Sequence, residues 1–309
     1  MKTRFLIFVL LMLSNPRAHQ FPTNIDTSTM NNTIGFRFIG SSTSYTGGAV
    51  SGVGDIDGDV ISDFVVGATG MHSLEGSSYS GQVYAVYGSI INPKTVWGEN
   101  DLNLWNQGKT IIRVIDGAVY MSLLGSSLNS AGDVNRDGID DIIVSSQGWN
   151  SNQGKVFVIF GKPRAQAISP LFVNNLSSEV AIEIVGETTG SEFSRSVSSG
   201  DFNNDGFSVI LIGARTASNG DGRAYVIFGH NGTWTTSVSA LQIGGLIPGV
   251  KFIGRAGFQC GYSVSNAGDV NKDGNEDLII GCTQTSIHKS SSGAAYVVFG
   301  HSGTWQSAI

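Results

Sequence analysis

Four segments of the chain set acidic and amide side chains at alternate positions of a short loop, and the loops run straight into apolar stretches rich in Val and Ile. They read GDIDGDVISD from Gly54, GDVNRDGIDD from Gly132, GDFNNDGFSV from Gly200 and GDVNKDGNED from Gly268. Counting from the leading aspartate, positions 1, 3, 5 and 9 are Asp55, Asp57, Asp59 and Asp63 in the first loop. They are Asp133, Asn135, Asp137 and Asp141 in the second, and Asp269, Asn271, Asp273 and Asp277 in the fourth. Oxygens at alternate positions of a tight loop converge on one point, which suits a hard cation taking six to eight oxygens at ~2.3–2.6 Å. Zn²⁺ prefers nitrogen and sulfur, and Mg²⁺ a smaller octahedral site that keeps its waters, so Ca²⁺ is the expected ion. A backbone carbonyl at position 7 (Ile61, Ile139 or Asn275) and a water would complete the shell. An EF-hand puts an acidic residue at position 12 ahead of a helix. Here position 12 is Val66, Val144 or Ile280, inside β-type runs.

The competing reading is an acidic turn without metal, since Asp, Asn and Gly are ordinary turn residues. Against it stands charge: twelve of the chain's 24 acidic residues fall on ligand positions of these loops, where they repel one another unless a cation is present. Two loops depart from the pattern. The first has Val60 where the others have Gly; if that position needs φ > 0, Val costs about 1–2 kcal/mol or shifts the turn. The third keeps Asp201, Asn203 and Asp205 but ends on Val209, so it is expected to be weak or empty.

The elements that carry the loops repeat with them. The leading aspartates recur every 68 to 78 residues, and a second marker keeps step: VYAVYG, VFVIFG, AYVIFG and AYVVFG. A third precedes each loop, from FIGSSTSYTGG to FIGRAGFQCGYS. Within a unit the pattern is short strands of four to seven residues between Gly, Asn, Asp and Ser turns, with no helical period, which means an all-β fold. Units of about 70 residues with four short antiparallel strands have the size of propeller blades, which bury their faces only against neighbours.

These markers, in the order FIG…GD-x-[DN]-x-DG-x-x-D…GA…FG, resemble the FG-GAP repeats that form the N-terminal β-propeller of integrin α-subunits. The resemblance covers residues 35–300. It departs in two respects: none of the GA segments keeps the family's Pro, and four units stand where the integrin-type ring has seven. Blades are expected at about 20–90, 91–162, 163–230 and 231–300, with 301–309 starting a further one, because GHSGTW at 300–305 repeats GHNGTW at 229–234. Two arrangements fit: part of a seven-blade ring, which is favoured and leaves open faces that invite self-association, or a closed four-blade ring.

Residues 1–19 follow the pattern of a secretory signal peptide, with Lys2 and Arg4 ahead of the apolar stretch Phe5–Leu13. That stretch is too short to span a bilayer, and no other segment of this chain reaches transmembrane length. An exported chain permits a disulfide between the two cysteines, Cys260 and Cys282, which flank one acidic loop; two buried thiols are the alternative. Asn31, Asn175 and Asn231 begin N-x-Ser/Thr sequons. The net charge of −6 excludes nucleic acid as a main partner. No catalytic motif stands out, so the chain is read as a non-enzyme: none of the five histidines begins H-E-x-x-H, and no G-x-S-x-G or phosphate loop occurs. His230 and His301 occupy equivalent repeat positions, as structural residues would.

The resemblance implies an adhesion or ligand-binding module, secreted or at the cell surface, that takes an extracellular protein or glycan. The loops at 69–80, 147–153, 215–222 and 283–292 are the expected ligand face. The alternative is an accessory propeller of a larger exported enzyme, as in phospholipases with such repeats.

Overall fold

The computed structural model describes residues 37–74, 76, 78–88, 101–103, 112–117, 119–167, 170–285, 291–303 and 305. The signal-peptide segment, the Asn31 sequon, residues 286–290 of the last ligand loop and residues 306–309 lie outside them.

Short strands follow one another throughout. After β1 (Arg37–Ile39) come β2 (Thr46–Gly54), β3 (Asp63–Ala68), β4 (Gln82–Val86), β5 (Asp101–Asn103) and β6 (Ile112–Asp116). The second group is β7 (Leu124–Gly132), β8 (Asp141–Ser146), β9 (Lys155–Ile159), β10 (Leu171–Phe172) and β11 (Ala181–Val185). The third is β12 (Phe193–Gly200), β13 (Val209–Ala214), β14 (Arg223–Ile227), β15 (Ser237–Ser239) and β16 (Gly249–Ile253). The last is β17 (Cys260–Gly268), β18 (Asp277–Cys282) and β19 (Ala294–Val298).

Strands β2-β3-β4-β6, β7-β8-β9-β11 and β12-β13-β14-β16 form antiparallel sheets of one plan, and β17-β18-β19 form a fourth with three strands. The connecting segments reach back to the preceding sheet: β10 pairs in parallel with β6, and β15 with β11. Strand β1 stands in the repeat where β6, β11 and β16 stand, and it pairs in parallel with β5 in the same way. This sets the sheets one strand out of phase with the sequence units. The FIG strand pairs with the FG strand before it, yet a tight turn joins it to the innermost strand of the next sheet. Each unit therefore ties two sheets together.

Central strands β3, β8 and β13 are buried on both faces, which is why they read as continuous apolar runs rather than alternating ones. The cores lie between consecutive sheets. One joins Val65, Val83 and Ile115 to Leu128, Val144 and Phe157; the next joins Ile143, Val158 and Ile184 to Ile212, Tyr225 and Ile227. The innermost strands are rich in Gly and Ser because neighbouring backbones approach closely: a Cβ on Gly261 of β17 would lie 2.0 Å from the carbonyl oxygen of Arg223 in the preceding sheet. Strand β19 breaks the pattern. Its counterparts β9 and β14 are buried along almost their whole length, whereas most of β19 is exposed. Cys260 and Cys282 are joined by a disulfide across directly paired positions of β17 and β18.

Candidate functional site

Each acidic loop links the innermost strand of its sheet to the next: β2 to β3, β7 to β8, β12 to β13 and β17 to β18. The leading aspartate folds the loop. Asp133 accepts from the N–H groups of Asp137 (3.0 Å) and Gly138 (2.9 Å); Asp269 accepts from Asp273 (3.1 Å) and Gly274 (2.9 Å). Asp201 accepts likewise from Asp205 and Gly206, and Asp55 from Gly58, Asp59 and Val60. The position-5 carboxylates Asp59, Asp137, Asp205 and Asp273 take the N–H of residue 7, which fixes Ile61, Ile139, Phe207 and Asn275 in the turn. The sixth position is left-handed in every loop, with φ of 87° at Gly138, 81° at Gly206, 91° at Gly274 and 71° at Val60. The first loop thus keeps the turn and places a strained Val in it.

The closing aspartates do more than the sequence indicated. Asp63, Asp141 and Asp277 are buried, and each ties its loop to the glycine two residues past the third strand. Asp141 accepts from Val134 N (3.0 Å) and Gly161 N (2.8 Å), Asp63 from Ile56 N (2.9 Å) and Gly88 N (2.6 Å), Asp277 from Val270 N and Gly300 N (both 2.9 Å). Burial pushes the Asp141 carboxyl up to about 8 and that of Asp63 up to about 6, against the pull of these hydrogen bonds. The N–H of Asn275 holds Asp273 below the usual carboxylate range. In the third loop the equivalent residue, Val209, is an apolar core residue, and Asn203 Oδ1 is buried without a hydrogen-bond partner.

A cation fits this donor set, which is all oxygen and several-fold charged. Among the described residues, the first loop alone brings three carboxylates, those of Asp55, Asp57 and Asp63, within 4.8 Å of one another. The Asp57 Oδ1 there is buried with no hydrogen-bond partner. Sequence reasoning put the second and fourth loops ahead because of Val60; the geometry draws attention to the first as well.

The opposite end of the sheets is different in kind. Turns 41–45, 70–74, 78–80, 119–123 and 147–148 are tied into one surface by Gly70 N to Ser44 O (2.9 Å), Met121 N to Ser78 O (3.2 Å) and Gly148 N to Ser122 O (3.1 Å). Tyr45 and Tyr120 are 66% and 63% exposed there, beside exposed Leu74, Tyr79, Val119 and Met121. Tyr45, Tyr79 and Met121 hold left-handed backbone, with φ of 50°, 52° and 54°. Turns 41–45 and 119–123 were absent from the expected ligand loops. Their signal was there to read, in the Tyr and Met of the SSTSYTGG and GAVYMS segments. His230 and His301 stack on Trp234 and Trp305 with ring centroids 4.0 and 4.6 Å apart, anchoring the segments that follow the FG strands. The sequons at Asn175 and Asn231 are exposed.

Antiparallel sheets packed face to face, joined in this repeated order and carrying acidic loops at one end, form an array of the β-propeller type. The description FG-GAP repeat matches residues 125–159, which run from β7 through β9 and include the second acidic loop. The chain is 30% identical over 190 residues to a phosphatidylinositol-glycan-specific phospholipase D of Dictyostelium discoideum, covering 56% of this chain and 19% of that protein. It is 30% identical over 177 residues to integrin alpha-IIb of Mus musculus, covering 57% of this chain and 15% of the integrin. Against integrin alpha-2 of Mus musculus the identity is 26% over 163 residues, covering 50% and 13%. The chain therefore spans less than a fifth of the length of each of these relatives.

Proposed function

We propose that the chain is a secreted or cell-surface, calcium-binding propeller module that holds an extracellular protein or glycan on the face opposite its acidic loops. The observation that carries this reading is the patch of exposed Tyr45, Leu74, Tyr79, Val119, Tyr120 and Met121 gathered on one end from separate turns. Exposed aromatic groups on strained backbone cost stability, and that pattern marks interaction sites. The likeness to integrin α-subunits supports the same reading. Calcium would sit in the acidic loops at Asp55, Asp57, Asp59 and Asp63, at Asp133, Asn135, Asp137 and Asp141, and at Asp269, Asn271, Asp273 and Asp277, where it neutralises the clustered charge and stiffens the junctions. No helix among the described residues is long and apolar enough to cross a membrane. The four units are read as part of a larger ring, which accords with the exposed β19.

The test is binding of labelled residues 20–309 to cell surfaces and extracellular matrix, compared with Tyr45→Ser/Tyr120→Ser and with Val270→Ser at the acidic-loop end. Loss of binding in the first variant alone is expected; equal binding by all three overturns the reading. A second reading, an accessory propeller of an exported hydrolase, is favoured by the phospholipase similarity. Phospholipase activity in the full-length gene product, lost when a further domain is removed, would select it.

A further inference from the structure

The third position of the acidic loops follows a rule that the first loop breaks. Asn135, Asn203 and Asn271 each donate a side-chain N–H to the position-5 carboxylate of their own loop, at 3.2, 2.7 and 2.7 Å. Asp57 has no N–H to give, and its charge opposes that of Asp59. Arg164, from the turn after β9 in the next sheet, takes over the bond. Its Nε donates to Asp57 Oδ2 at 2.6 Å and its Nη2 to Asp59 Oδ2 at 3.2 Å, with a further contact from Nη2 to Asp57 Oδ2. The guanidinium also lies over the Tyr87 ring, 4.9 Å from its centre.

The turns that face the other loops locate the counterpart of Arg164. Lys162 N donates to Ile56 O of the first loop, His230 N to Val134 O of the second and His301 N to Phe202 O of the third. Two residues further on stand Arg164, Gly232 and Gly303. Aspartate at position 3 thus goes with arginine across the junction, and asparagine goes with glycine. Lys162 does not do the same work: among the described residues its Nζ reaches Asp137 of the second loop, at 3.6 Å.

We infer that Arg164 is a built-in counter-cation and hydrogen-bond donor for the first loop, a positioning residue that holds Asp57 and Asp59 together and locks this junction without a bound metal. The Asp57 side chain has no exposed surface, so the pair is no ordinary surface salt bridge. Arg164 uses Asp57 Oδ2 and leaves Oδ1 buried without a hydrogen-bond partner, in the group formed with Asp55 and Asp63. The guanidinium therefore occupies one side of Asp57 and leaves the other side available to a cation. The first junction keeps its shape on calcium loss, whereas the second, faced by Gly232, has no such lock.

A double-mutant cycle tests this in EGTA, where the outcome does not depend on whether the loops bind calcium. Arg164→Gly should lower the melting temperature by roughly 5 °C or more, because it strands a buried carboxylate. Asp57→Asn should cost little. The double variant, which recreates the Asn135–Gly232 arrangement, should recover to within about 2 °C of wild type. Strictly additive shifts would overturn the proposal. A second readout is the gain in melting temperature on adding calcium, expected to be larger in Arg164→Gly than in wild type. An unchanged gain shows that Arg164 is structural filler. If Arg164→Gly is insoluble without calcium, Arg164→Gln is prepared in calcium and titrated with EGTA, with the same two outcomes.

Discussion

Exchanging the sixth loop residues, Val60→Gly in the first loop and Gly138→Val in the second, separates backbone strain from side-chain contacts. Val60 sits at φ 71° with 91% of its surface exposed, so its side chain contributes almost no burial. Its N–H donates to Asp55 Oδ2 at 2.6 Å, a bond that glycine keeps. Left-handed backbone costs a residue with a Cβ about 1–2 kcal/mol. Glycine gives back about 0.4–1 kcal/mol through the freedom it adds to the unfolded chain. The net gain for Val60→Gly is then about 0–1.6 kcal/mol, centred on about 0.8 kcal/mol, or a rise of about 2–3 °C in melting temperature at the centre of that range. Gly138 has φ 87°, and a Cβ built on it meets nothing within 4 Å, so Gly138→Val should lose a similar amount for conformational reasons alone. Scanning calorimetry of residues 20–309 in EGTA measures both. A lower melting temperature for Val60→Gly, or no change for Gly138→Val, would refute the assignment of this position as the strained one.

Other expectations follow from the same geometry. Asp137→Ala and Asp273→Ala should each remove one bound calcium, while Asp205→Ala in the loop that ends on Val209 should leave the stoichiometry unchanged; elemental analysis of the three variants decides. Burial raises the folded Asp141 carboxyl from 3.8 to about 8, so the folded state binds the extra proton between those values and stability without calcium falls as pH rises through that window. Calcium needs the ionised form, so its affinity should rise from pH 6 to pH 8, and Asp141→Asn should flatten the fall seen in EGTA. Exposed Tyr296, Val297 and Phe299 beside the edge of β19, which has no partner strand among the described residues, should make residues 20–309 self-associate, and Val297→Lys should reduce it; a monodisperse wild-type monomer by light scattering would count against an open array.

The repeat, the all-β character and the turn at position 6 were legible because each has a local cause. Gly138, Gly206 and Gly274 mark left-handed backbone, and Val60 stood out by breaking a column. The Cys260–Cys282 pairing was open from the sequence and is settled by register, since the two face each other across β17 and β18. What stayed hidden depends on contacts between units. Pairing of β6 with β4, rather than with strands of its own unit, shifts every sheet by one strand, and no local signal announces it. The Arg164–Asp57 bond spans 107 residues. Asp63, Asp141 and Asp277 read as metal ligands, but their second task, tying the loop to Gly88, Gly161 and Gly300, needs the third strand in place.

Calcium binding that stabilises the fold is the central claim, and one experiment meets it directly: bound calcium counted by elemental analysis on the same sample whose melting temperature is recorded with and without EGTA. A site held at one hundred times its Kd adds about 2.7 kcal/mol, provided the unfolded loop binds poorly. More than one calcium per chain and a melting temperature that drops by several degrees in EGTA are predicted. A chain that carries no calcium and melts at the same temperature in both buffers would contradict the account.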